Sequence, residues 1–126
     1  MKLSNNNPHI QFVGKLTEIE KHYFFESIDF LILPSVNSFE AFGLVHLEAM
    51  SYGKPVIASN LHGVRIPIQY TGNGLLYPKG NVKELVKCIV NYKEWVKNMN
   101  RRKIIKSYNR YFNKEQFLKK YLSLFN

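Results

Sequence analysis

The chain has 126 residues, of which 45% are hydrophobic, 14% aromatic and 21% charged, a balance that excludes a disordered chain and fits one globular unit with a real core. Its single cysteine excludes an intrachain disulfide framework and a cysteine-built zinc site, and no apolar run approaches the ~18 residues of a membrane span. The net charge of +9 is uneven: residues 1–90 hold 8 Lys/Arg against 7 Asp/Glu, whereas residues 91–126 hold 10 against 2.

Met1 to Pro8 is polar and carries no apolar stretch of the kind that makes a signal peptide, so the cytoplasm is the expected location. His9 to Val13 reads as a short strand. Thr17 with Glu20 three positions later forms a capping-box signature, which opens a helix running to about Ile28 with Tyr23, Phe24 and Ile28 turned inward. A buried-type strand follows at Phe30 to Leu33 and stops at Pro34. Helical spacing resumes near Gly43 through Leu44, Leu47 and Met50, and ends at Gly53. Val56 to Ala58 is a second buried-type strand, Leu61 to Tyr70 reads as loop with one helical turn, and Gly74 to Tyr77 is a strand closed by Pro78. Asn81 and Glu84 cap a further helix whose Val82, Leu85, Val86, Ile89, Val90 and Val96 share one face. Cys88, beside Leu85 and Ile89, fits a packed small apolar residue better than a nucleophile. Two basic helices are expected near 99–111, with Ile104, Ile105 and Tyr108, and near 114–125, capped by Asn113.

Strands that are apolar on both faces and alternate with helices predict an α/β fold, a parallel Rossmann-like sheet with helices on both faces and a helical C-terminal tail. In such sheets ligands sit beyond the carboxyl ends of the strands. Ser35 and Ser59 mark two of those ends, which places Glu40 and His62 on a common rim.

Between Ser35 and Gly53 two carboxylates, Glu40 and Glu48, stand eight positions apart, one in the loop and one on the helix after it. The helix start offers unpaired amides and the positive end of a dipole, a seat for a phosphate or diphosphate. Gly43 lets the backbone approach a ligand closely. Glu40 can accept hydrogen bonds from ligand hydroxyls beside that seat, and Glu48 from a second polyol two turns on. Glutamates flanking a turn are commonly no more than solvated charges, and His46 inside the motif reads as a packed or surface histidine. The order of the neighbouring motifs favours the ligand site.

Five segments in order resemble the donor-binding half of retaining GT-B glycosyltransferases of group 1, the glycogen-synthase-like family: Phe12-Val13-Gly14; Phe30 to Ser35; Glu40 to Met50 with its two glutamates; Gly53 to Ser59; and Gly72 to Pro78. The resemblance implies a partial nucleotide-sugar-binding GT-B donor domain over residues 1–97, with basic helices over 98–126 packed on it. It implies that Glu40 holds sugar hydroxyls and that the backbone of Ala41, Phe42, Gly43 and Leu44 receives the sugar and diphosphate. Glu48 would then hold the ribose diol. Ser35, Ser59 and His62 are the rim residues, and no residue of this chain is assigned to the catalytic step itself. A UDP- or GDP-sugar would be the substrate, with transfer retaining the anomeric configuration, in polysaccharide or glycoconjugate synthesis. No metal or other cofactor is expected.

Compared with the family, this sequence starts after the acceptor domain, the first two donor-domain strands and the Arg/Lys loop that meets the diphosphate; Lys15 stands outside that motif. The Pro-Glu step expected near Arg65-Ile66 is absent as well. A separate acceptor-binding domain or chain is therefore an expected partner. Three functions stay open: a glycosyltransferase portion, a nucleotide-sugar-binding module without turnover, and a membrane-surface adaptor that uses residues 99–126 on anionic lipid at the inner face of the membrane. Nucleic acid is the least favoured partner of the basic tail, and a plain solvated face is its simplest reading.

Overall fold

In the computed structural model of the chain, the structure describes residues 6–36, 44–112 and 115. Its elements run α1 (Glu18–Ser27), β1 (Leu31–Leu33), α2 (Leu44–Ser51), β2 (Val56–Ser59), α3 (His62–Thr71), β3 (Gly74–Tyr77), α4 (Val82–Val90), α5 (Tyr92–Trp95) and α6 (Arg101–Phe112). Among the described residues the three strands form one parallel sheet in the order β1-β2-β3. The expected α/β class and parallel sheet are present.

The central strand explains the arrangement. Val56, Ile57, Ala58 and Ser59 are all buried, as a parallel strand with neighbours on both edges and helices on both faces should be. Strand alternation sends Val56 and Ala58 to one face, where they join Leu47, Ala49 and Met50 of α2, Val64 and Ile68 of α3, Phe25 of α1, and Ile104 and Phe112 of α6. Ile57 lies on the opposite face. On that side Phe30 meets the Tyr92 ring at 4.4 Å between centroids, and Leu75 borders a hollow with Cys88 and Trp95.

Local capping rules explain the helix starts. Thr17 accepts from the Glu20 amide while the Glu20 carboxylate takes the Thr17 amide, the full capping box. Those hydrogen bonds hold the Glu20 carboxyl below its ordinary value. Asn81 caps α4 through the Glu84 amide at 3.1 Å.

Several expectations need correction. Residues 9–13 form no strand: Asn7 turns the chain by accepting from the amides of His9 and Ile10, and Ile10, Phe12 and Val13 are exposed. A strand persists only with a neighbour to pair with, and β1, the edge of the sheet, pairs on one side only among the described residues. On α1 the buried ring is Phe25, supported by Phe24 and Ile28, while Tyr23 points outward at 68% exposure. Leu61 to Tyr70 is not a loop with one turn. From His62 onward it is the ten-residue α3, in which Pro67 is buried and Gly72 ends the helix in the left-handed conformation at φ 70°. The expected α4 face is largely bare, with Val82, Val86 and Val90 exposed, and the helix breaks at Asn91, so Val96 does not belong to it. Residues near 99–111 do form a helix, with Ile104 buried; the helix expected at 114–125 and its Asn113 cap lie outside the described residues, apart from Glu115.

Gly74 sits opposite Val56 in the β2–β3 ladder, and a Cβ there would lie 2.1 Å from the Val56 carbonyl oxygen. Gly74→Ala must push the two strands apart, so we expect it to cost about 1–3 kcal/mol of stability, measured by urea unfolding.

Candidate functional site

The carboxyl ends of β1 and β2 are tied together. The Ser59 hydroxyl, fully buried, donates to the Ser35 carbonyl at 2.6 Å and lies 3.5 Å from that of Leu33. Ser59 therefore holds the rim together and presents no free group to a ligand. Ser35 takes part through its backbone. His62 is exposed at the start of α3, where its Nδ1 lies 3.1 Å from the Arg65 guanidinium, a donor that needs the imidazole nitrogen to be unprotonated.

From this rim α2 runs back along the sheet. Glu40, Ala41, Phe42 and Gly43 lie outside the described residues; Leu44 is the first residue of α2. Glu48, one turn further in, is half-buried and opens into a hollow of about 220 Å³ between α1 and α2. Leu16, Phe24, Phe25 and Val45 wall the hollow, Gly14 borders it with φ 65°, and Lys21 supplies a second charge. An apolar slot with one carboxylate and one ammonium fits a ligand with a flat apolar body, hydroxyls at one end and an acceptor at the other. Among the described residues the Lys21 ammonium pairs with Glu18 alone, at 3.3 Å, and with Glu18 91% exposed this ion pair is readily exchanged. The negative charge of Glu48 reaches Tyr108 of α6 as well: burial first, then that charge, raises the tyrosine's pKa.

The sequence pointed to Glu48 but not to Lys21, Leu16 and Val45, and it offered Gly14 only as the end of a strand segment. Lys21, Phe24 and Phe25 stand at i, i+3 and i+4, so the signal was a helical face with one cation at its edge.

His46 locks the motif helix to α3. Its ring is completely buried, and Nε2 donates to the Val64 carbonyl at 2.9 Å, while Nδ1 has no hydrogen-bond partner among the described residues. A carbonyl can only accept, so Nε2 carries a proton, and burial of the unpartnered Nδ1 favours the neutral ring. Desolvation pushes its pKa below the ordinary value, outweighing the opposite effect of the Val64 bond. Among the described residues no group of His, Cys, Asp and Glu is placed to hold a metal ion. The Cys88 thiol is half-buried and pushed up by burial, as for a packed residue rather than a nucleophile.

The family described as "Glycosyl transferases group 1" matches residues 1–112. An uncharacterized glycosyltransferase of Methanocaldococcus jannaschii is 33% identical over 90% of this chain and 31% of its own length. The phosphatidyl-myo-inositol mannosyltransferase of Mycobacterium leprae is 34% identical over 65% of this chain and 22% of its own length. The sulfoquinovosyl transferase of Arabidopsis thaliana is 34% identical over 82% of this chain and 20% of its own length. The chain thus spans less than a third of each of these relatives. No solved structure matches it at a comparable level of significance.

A buried histidine with a depressed pKa binds a proton more readily when unfolded. Stability contributed by neutral His46 is therefore complete above its unfolded value near 6.5 and is lost as the pH falls from there toward the lower folded value. We expect the unfolding midpoint in urea to drop between pH 7.5 and 5, and His46→Leu to flatten that slope.

Proposed function

Since the chain belongs to the group 1 glycosyltransferases, we propose that it is the donor-binding portion of a retaining GT-B enzyme that takes a UDP- or GDP-sugar and passes its glycosyl group to an acceptor hydroxyl. The observation that carries this reading is Glu48 lining an apolar-walled slot between α1 and α2, on a helix that starts from the carboxyl side of a parallel sheet. The ribose diol donates to the Glu48 carboxylate, and the base lies between Leu16, Phe24 and Val45. The diphosphate then falls toward the start of α2, where free amides and the helix dipole stabilise the charge that builds as the anomeric C–O bond to phosphate breaks. Glu40 accepts from the sugar hydroxyls and the backbone of residues 41–44 cradles the diphosphate. In this reading the helix start supplies the stabilisation a metal supplies elsewhere, and no metal is called for.

We assign residues 1–97 to the nucleotide-sugar part and 98–126 to a basic C-terminal part, of which α6 docks on the rest. The α6 packing against α2 and α3 supports that division. Catalysis requires an acceptor-binding domain or chain in addition. The exposed Ile10, Phe12 and Val13, and the side of β1 that no described residue pairs with, favour such a partner, because they leave apolar surface and ladder groups available for it. We take the product to be a polysaccharide or glycoconjugate, made in the cytoplasm, with the basic C-terminal part facing the inner membrane surface. No helix among the described residues is long and apolar enough to cross a membrane.

Isothermal calorimetry tests the donor site. UDP or GDP should bind the wild-type chain, and Glu48→Ala should weaken that binding by about one to two orders of magnitude, the worth of hydrogen bonds to a charged group. Equal affinity in the two proteins would remove the ribose role.

A further inference from the structure

We propose that the outer face of α6 is a docking surface for anionic phospholipid headgroups, which gives the membrane placement named above its residues; it rests on that placement and not on the donor slot. Residues 95–112 carry six Lys/Arg and no Asp/Glu. Arg101 is spent on a structural pair with Glu26, at 3.1 and 3.0 Å. Arg102, Lys103, Lys106 and Arg110 remain exposed, and no carboxylate pairs with any of them among the described residues. The i, i+4, i+8 spacing of Arg102, Lys106 and Arg110 lines them along one side of the helix.

This face is shaped as well as charged. Lys106 stands between two hollows. One, of about 310 Å³, is bordered by Lys103, Lys106 and Arg110 together with the rings of Tyr70 and Tyr111. The other, of about 670 Å³, has Arg102 and Lys106 on its rim and Ile105 on its wall. Three cations around a small hollow suit a phosphodiester group. Tyr70, 62% exposed and packed edgewise on Phe112 at 6.1 Å, offers the half-apolar, half-polar ring that favours the lipid–water boundary. Cations beside amphipathic rings match a bilayer carrying negative headgroups better than a nucleic acid, which would need only the charge.

Co-sedimentation of the full chain with vesicles decides the matter. Binding to vesicles of 30% phosphatidylglycerol in phosphatidylcholine should be strong at low salt, weaken as salt rises, and be negligible on pure phosphatidylcholine. Each cation near such a surface is worth roughly fivefold in partitioning, so Arg102→Gln with Lys106→Gln should lower binding about 25-fold. Lys79→Gln with Lys83→Gln, at the start of α4, should leave it unchanged. Calorimetry with UDP on the same variants should show unaltered affinity, which separates a failed membrane surface from a failed donor site. Equal binding to both vesicle types, an undiminished Arg102/Lys106 variant, or tighter binding to a 20-base-pair DNA duplex than to the anionic vesicles would overturn the proposal.

Discussion

The structure depends on the complete burial of β2. A strand hidden on both edges and both faces must satisfy its backbone through neighbouring strands, and here β1 and β3 both run parallel to it and in register. Parallel pairing collects the strand carboxyl ends at one rim, and the buried Ser59 hydroxyl then fastens that rim by reaching the Ser35 carbonyl. Helix α2 departs from there with its apolar side, Leu47, Ala49 and Met50, held against the sheet. With that side fixed by packing, the 3.6-residue period leaves Val45 and Glu48 facing α1. The position of the carboxylate is thus a by-product of core packing.

Two further joints keep α2 in place. At its start His46 bonds across to α3, and at its end Tyr52 stacks on Phe25 with 5.3 Å between ring centroids while its hydroxyl meets His22 at 3.1 Å. The turn after α2 is closed by Gly53, whose φ of 75° suits only glycine; a Cβ there would also lie 2.3 Å from the Arg101 side chain. That close approach lets Arg101 span from α6 to Glu26 of α1, where the guanidinium holds the glutamate carboxyl below its ordinary value. The pair is solvent-exposed enough to contribute little energy, and its effect is to fix geometry rather than to add stability.

Much of this was legible because it is local. Thr17 and Glu20, Asn81 and Glu84, and the unbroken apolar triplets of β1 and β2 encode their structure within a few residues. What failed depended on partners distant in sequence. Residues 10–13 have strand-forming side chains but no neighbour to pair with among the described residues. The segment 62–71 carries Gly63 and Pro67, which read as breakers, yet Val64, Pro67 and Ile68 are buried beneath it and tertiary packing overrides the propensity. Tyr23 and Phe25 exchanged roles because the orientation of α1 is set by Tyr52 and Arg101, from other parts of the chain. At the site, Glu48 was visible through its motif, whereas Lys21 became visible only when α1 came to lie beside α2.

The lone-sided pairing of β1 bears on how firmly the ligand rim is mounted. Among the described residues its three residues pair with β2 alone, whereas Val56 to Ser59 pair on both sides and are fully buried. Among the described residues β1 and β3 are the two edge strands, and the segment of chain leaving Leu33 starts from one of them. Any contact that covered the outer flank of β1 would stiffen the stem of that segment from the side, making the firmness of the sheet's carboxyl-end rim a property of whatever lies alongside the strand.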